Sequence, residues 1–145
     1  MIHATMDDFE TIKGLFKKYR FIFPHIRNSK IISRIEAGEM VFQDGVMITY
    51  SIRKNKLKIG TFAPIKGDCV LHQILVSKQG NGNASRILNE FFKFVDTNVV
   101  LSVRADNDRA QKFYLKNNMA LVGDVSWSKG TLPGKVYLYI KQPII

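Results

Sequence analysis

Leu71-His72-Gln73-Ile74-Leu75-Val76-Ser77-Lys78-Gln79-Gly80-Asn81-Gly82-Asn83-Ala84-Ser85-Arg86-Ile87-Leu88-Asn89-Glu90-Phe91-Phe92 changes character twice along its length. Leu71 to Val76 is mostly apolar and bounded by polar residues, the pattern of a buried strand. Ala84, Ile87, Leu88, Phe91 and Val95 recur at helical spacing and give an amphipathic helix one apolar face. Between them, Gln79-Gly80-Asn81-Gly82-Asn83-Ala84 is a tight turn of small residues emptying into the helix N-terminus. Such a turn leaves main-chain N–H groups pointing outward at the positive end of the helix dipole. It is an anion cradle, and phosphate is the usual anion. Two familiar phosphate patterns fit poorly. No Gly-Lys-Ser/Thr closes the turn as a P-loop would, and Ser85 stands where the third glycine of a dinucleotide fingerprint belongs.

A third pattern fits. Gln79-x-x-Gly82-x-Ala84 matches the Gln/Arg-x-x-Gly-x-Gly/Ala signature of the GNAT superfamily of acyl-CoA-dependent N-acyltransferases. A plain strand-to-helix turn is the alternative, and a second element downstream argues against it. In Leu101-Ser102-Val103-Arg104-Ala105-Asp106-Asn107-Asp108-Arg109-Ala110-Gln111-Lys112-Phe113-Tyr114, a strand precedes Asn107, Ala110, Phe113 and Tyr114 at the family's second spacing. The exit departs from the family, with Asn118-Met119 where Gly-Phe is commoner. Asparagine is the best non-glycine residue for a left-handed helix end, so the backbone logic is kept. The loop from Val76 to Gln79 is also shorter than usual. The chain resembles a minimal GNAT domain over nearly its whole length. The run Phe23-Pro24-His25-Ile26-Arg27 and the compact size are similar to small GNAT proteins of tailed bacteriophages.

Composition bounds the rest. The 145 residues suit one domain, 1–145, large enough to bury about two thirds of its extended-chain surface. A hydrophobic content of 46%, with Phe 10 and Tyr 5, supports a packed core. The lone cysteine, Cys69, excludes an internal disulfide framework and fits a reducing compartment. No apolar run of signal-peptide or membrane-spanning type is seen, so a cytoplasmic protein with no membrane partner is expected. Lys+Arg 22 against Asp+Glu 12 gives a net charge of +10. Such a balance marks nucleic-acid contact, an anionic substrate, attraction for polyanionic coenzyme A, or simply a solvated basic surface.

Taken in order, Met1 to Thr5 reads as a short strand and Met6 to Tyr19 as a helix with Phe9, Ile12, Phe16 and Tyr19 buried. Arg20 to Ile26 is an aromatic loop containing His25. Asn28 or Ser29 caps a second helix through Glu36, ended by Gly38. Arg27, Lys30 and Arg34 form either a solvated face or a basic rim for an anionic acceptor. Met40 to Gln43 and Val46 to Arg53 read as strands joined by the hairpin turn Asp44-Gly45. After the central strand and helix come a strand at Val99–Val103, the Asn107–Lys116 helix, a strand near Ala120–Ser126 and a last strand at Val136–Lys141, with Trp127 to Gly134 as the link. Helices alternating with strands before an antiparallel end give an α/β (α+β) fold. The resemblance implies a mixed, mostly antiparallel central sheet flanked by helices.

What the resemblance implies chemically is direct acetyl transfer from acetyl-CoA to an amine in a ternary complex, without metal. Gln79, Gly80, Asn81, Gly82, Asn83 and Ala84 would hold the pyrophosphate. The backbone near Leu75 and Val76 would pair with the pantetheine arm, and Asn107 and Phe113 would line it. Tyr114 would be the acid that protonates the departing thiolate, a role for which a phenol of ordinary pKa near 10 is suited. The alternative for Tyr114 is a core aromatic. Many relatives place a glutamate on the central strand, where this chain has His72-Gln73. His72 would deprotonate the amine directly or through water, or else it only packs. Cys69 has no His or Asp partner nearby in sequence and reads as structural. The acceptor is a small molecule, a peptide amine or a nucleic-acid base, and the protein a monomer or homodimer. A coenzyme A-binding module without turnover and a basic nucleic-acid-binding protein are the competing classes.

Overall fold

The computed structural model describes residues 1–24, 26–55 and 57–142. His25, singled out above, lies outside them. After a 3₁₀ turn at Met6–Asp8 come α1 (Phe9–Lys18), α2 (Asn28–Glu36), β1 (Met40–Gln43), β2 (Val46–Ile52), β3 (Cys69–Val76), α3 (Asn83–Val95), β4 (Val99–Arg104), α4 (Asp108–Lys116), β5 (Ala120–Trp127) and β6 (Leu132–Tyr139). The strands form one six-stranded sheet in the order β1-β2-β3-β4-β6-β5. β1–β2, β4–β6 and β5–β6 pair antiparallel, while β3–β4 is parallel. This is the mixed, mostly antiparallel sheet expected. The chain divides into two compact units: Met1–Tyr50 with Gln73–Ile87, and Ser51–His72 with Leu88–Ile145.

The first unit is built on the apolar stripe of α1. Ile12, Leu15 and Phe16 are buried with Ile31 and Ile35 of α2, Met40 of β1, Met47 of β2 and Leu75 of β3. Phe23 closes on Phe16 edge to face, with centroids 6.4 Å apart. The expected first strand is only an isolated bridge, His3 to Val41. The helix begins as a 3₁₀ turn at Met6, directly after Thr5, which leaves a single bridge. Asp44 and Gly45 both take left-handed φ, 51° and 76°, as a two-residue hairpin of this twist demands. The α2 start also differs from expectation. Arg27 is the N-cap, extended at φ −93° and ψ 150°, and no side chain caps the helix. Gly38 does end it, at φ 70°.

In the second unit β6 starts earlier than expected, at Leu132 rather than Val136. Pro133 and Gly134 look like loop residues, but the tight turn at Ser128, Lys129 and Gly130 brings them directly into register with Ser126 and Val125. A Cβ on Gly134 would meet the Trp127 ring at 2.5 Å, so only glycine lets the indole lie across the strand. Phe92 of α3 stacks on Tyr139 of β6 with centroids 3.9 Å apart. The edge of β5 is covered by the turn Ile59–Phe62. There the Thr61 amide donates to the Asp124 carbonyl at 2.8 Å, and the Asp124 amide to Thr61 Oγ1 at 2.9 Å.

Cys69, at the start of β3, is fully buried. Burial, reinforced by the neighbouring Asp68 charge, pushes its thiol up from 9.0 to about 12. A folded-state value raised above the unfolded one stabilises the fold fully below pH 9, and that contribution disappears as pH rises toward 12. The native thiol is therefore inert at neutral pH. A disulfide exchange reagent at pH 8 should label it only at the rate of unfolding and label one thiol per chain at once in denaturant. Immediate labelling of the native protein would show that Cys69 is open.

Candidate functional site

In the first unit, the end of β3 and the turn after it are held from α1. The Tyr19 hydroxyl donates to the Val76 carbonyl at 2.9 Å and accepts from Gln79 Nε2 at 2.9 Å. Lys18 Nζ donates to the Ser77 carbonyl at 2.9 Å. From the other side comes the β1–β2 hairpin. The Ser77 amide donates to the Gly45 carbonyl, Asn83 Nδ2 to the Asp44 carbonyl at 3.2 Å, and Arg86 pairs with the Asp44 carboxylate at 2.8 Å. The turn itself is thus the part left open. Gly80 and Gly82 take φ of 82° and 79°, and a Cβ on either would meet nothing within 4 Å among the described residues. The Asn83 amide is turned inward to Asn81 Oδ1 at 3.0 Å. The main-chain N–H groups of Gly80, Asn81, Gly82 and Ala84 take no hydrogen bond among the described residues.

That geometry refines the expected set. Gly80, Asn81, Gly82 and Ala84 offer donors to an anion, whereas Asn83 is a brace and Gln79 is tied to Tyr19. Leu75 is buried in the unit's core, so only its backbone is on offer. Val76 has one carbonyl lone pair taken by Tyr19. Of the basic face on α2, Arg34 turns inward, bonding Glu39 at 3.0 Å and the Tyr50 carbonyl. Tyr19, Lys18 and the Asp44–Arg86 pair escaped the sequence reading. Their partners lie across long stretches of chain, and Tyr19 registered only as part of an apolar stripe.

In the second unit, the parallel ladder between β3 and β4 pairs Cys69 with Val99 and Val70 with Val100 and ends there. Leu71 and His72 are past its end. His72, half-buried, meets the Ser51 hydroxyl, with Nε2 and Oγ 2.8 Å apart. Asn107 caps α4, its Oδ1 accepting from the Ala110 amide at 3.1 Å. Its Nδ2 has no partner among the described residues. Tyr114 lies one turn on, buried, with Phe113 edge-on at 5.6 Å and Tyr137 tilted at 5.9 Å. Asn118 takes φ 67°, the left-handed helix end the sequence called for, and the Met119 amide returns to the Tyr114 carbonyl at 3.1 Å. The Tyr114 hydroxyl takes no partner among the described residues. Burial pushes this phenol up from 10.0 to about 12, above the ordinary value assumed for it from sequence. It is protonated throughout the neutral range and so has a proton to donate. Among the described residues no group of three or more His, Cys, Asp or Glu could hold a metal ion.

No protein-family model matches the chain, and no curated protein matches it by sequence. Solved structures do match it. An acetyltransferase of the GNAT family from Streptococcus agalactiae superposes with a TM-score of 0.75 at 16% identity, covering 97% of this chain and 94% of that one. A GNAT-family acetyltransferase from Bacillus cereus gives 0.71 at 20% identity, with 97% and 96% covered. Arabidopsis thaliana NAA60 in complex with acetyl-CoA gives 0.67 at 18% identity, with 95% and 96% covered. The fold is that of the GNAT acetyltransferases.

Proposed function

We propose that this protein is an N-acetyltransferase that moves an acetyl group from acetyl-CoA to an amine by direct transfer. The observation that carries the reading is the Gly80–Gly82 turn, whose unpaired main-chain N–H groups open α3 with no Cβ in the way. These donors and the helix dipole suit a pyrophosphate, so the residues present fit the cofactor. Gly80, Asn81, Gly82 and Ala84 would hold the pyrophosphate, the backbone of Leu75 and Val76 would pair with the pantetheine arm, and Asn107 Nδ2 and Phe113 would contact that arm. Bound acetyl-CoA supplies a thioester carbonyl open to attack. Tyr114 would donate a hydrogen bond to sulfur as negative charge develops there. His72 would take the proton the attacking amine must lose. The neighbours supply a fold and no acceptor for this chain. The +10 charge favours an acceptor carrying negative charge near its amine.

Calorimetry with acetyl-CoA, followed by mass spectrometry of a panel of small amines, peptides and oligonucleotides, tests the proposal. Saturable binding and a singly acetylated amine are expected. Binding without turnover on any member would leave a coenzyme A-binding module. Oligonucleotide binding indifferent to coenzyme A would replace the proposal with a nucleic-acid-binding protein.

A further inference from the structure

We infer that Ser51 relays the acceptor's proton to His72, an inference that rests on His72 serving as the base. Ser51 lies in β2 and His72 in β3, 21 residues apart in sequence, yet Oγ and Nε2 are 2.8 Å apart and both residues are half-buried. A serine hydroxyl has one proton to give and lone pairs to receive another. With Nε2 occupied by Ser51, a proton reaches that nitrogen through the hydroxyl. The amine nitrogen forms its bond to the thioester carbon and gives its proton to Ser51 Oγ. Ser51 passes its own proton to His72 Nε2, which becomes imidazolium and later returns it to solvent. The carbon–sulfur bond breaks while Tyr114 donates a hydrogen bond to sulfur, and the thiolate takes its proton from solvent. No oxidant or further reactant is needed. The same path serves when water replaces the amine, giving acetate and coenzyme A.

The relay fixes a tautomer. Nε2 must accept from Ser51, so the ligand-free imidazole carries its proton on Nδ1. Long-range proton–nitrogen spectra of ¹⁵N-histidine-labelled protein should show Nε2 unprotonated, with a changed Nε2 resonance in Ser51→Ala. A protonated Nε2 in the wild type overturns the relay.

Turnover is the second readout, with thiol release from acetyl-CoA followed in water and with an alanine-starting octapeptide as amine. Ser51→Ala should lower kcat about 10²-fold. It should leave the KM for acetyl-CoA unchanged, and Ser51→Thr, which keeps the hydroxyl, should recover most of the rate. The proton inventory in mixed light and heavy water should curve in the wild type, since two protons move together, and become linear in Ser51→Ala. Wild-type kcat in Ser51→Ala beside an impaired His72→Gln overturns the relay and keeps His72 as base. Wild-type kcat in both variants, or no thiol release by the wild type above the uncatalysed rate with either probe, removes both assignments.

Discussion

Tyr114→Phe should lower kcat by about 10²–10³-fold while leaving acetyl-CoA affinity nearly unchanged, the loss expected when one preorganised donor to a developing negative charge is removed. The phenol at about 12 is a weaker acid than a thiol of ordinary pKa near 8.5. Handing its proton completely to the thiolate is uphill by about three to four pKa units, roughly 4–5 kcal/mol. A donor in that position therefore works mainly by hydrogen bonding to sulfur while the bond breaks, and solvent completes the transfer. Two consequences separate this from an acid that fully ionises. The pH profile of kcat should show no limb from Tyr114 between pH 6 and 9. The variant should keep its fold, since ring contacts with Phe113 and Tyr137 survive and the hydroxyl has no partner among the described residues to lose. Single-turnover kinetics with any productive amine would measure the effect. A folded Tyr114→Phe protein with wild-type kcat would reduce Tyr114 to a core aromatic.

Gly82→Val should weaken acetyl-CoA binding by at least about tenfold, or 1.4 kcal/mol. Gly82 sits at φ 79°, which a β-branched residue scarcely adopts. Either the turn keeps its shape under strain of roughly 1–3 kcal/mol, or it relaxes and turns its N–H groups away. In the first case the new methyl groups project into open space in front of the cradle, where nothing among the described residues stands within 4 Å of the Cβ. Both routes take the phosphate's donors. The core of the first unit does not include Gly82, so the fold should survive, with its melting temperature lowered only by the strain the turn retains. Unchanged affinity in calorimetry would place the cofactor elsewhere.

Much of the fold was legible because its decisive positions are local. Asp44-Gly45, Gly38 and Asn118 each signal a left-handed residue by type alone, and all three take one. Ala84, Ile87, Leu88 and Phe91 announce α3 by spacing, and the last three are buried. What stayed hidden depends on distant chain. Tyr19 finds its two partners 57 and 60 residues away, and nothing near it in sequence hints at a polar role. Ser51 is one unremarked residue of the Val46–Arg53 strand until the sheet brings it to His72. The early start of β6 was masked by Pro133-Gly134, whose loop-like types are here set by Trp127 packing and the turn before them. At α2 the capping types Asn28 and Ser29 misled, because both already lie inside the helix.

The division of the chain has a consequence for biosynthesis. The first unit takes its residues from Met1–Tyr50 and Gln73–Ile87, and the second from Ser51–His72 and Leu88–Ile145. A ribosome therefore releases every residue of the first unit by Ile87, while the second still awaits β4, α4, β5 and β6. Nascent chains tend to fold from the N-terminal side as each unit becomes complete. Here the glycine turn would take shape while β3, which carries His72, still lacks its parallel neighbour β4. A chain arrested soon after residue 87 clears the exit tunnel is thus the shortest in which the phosphate cradle has all its parts.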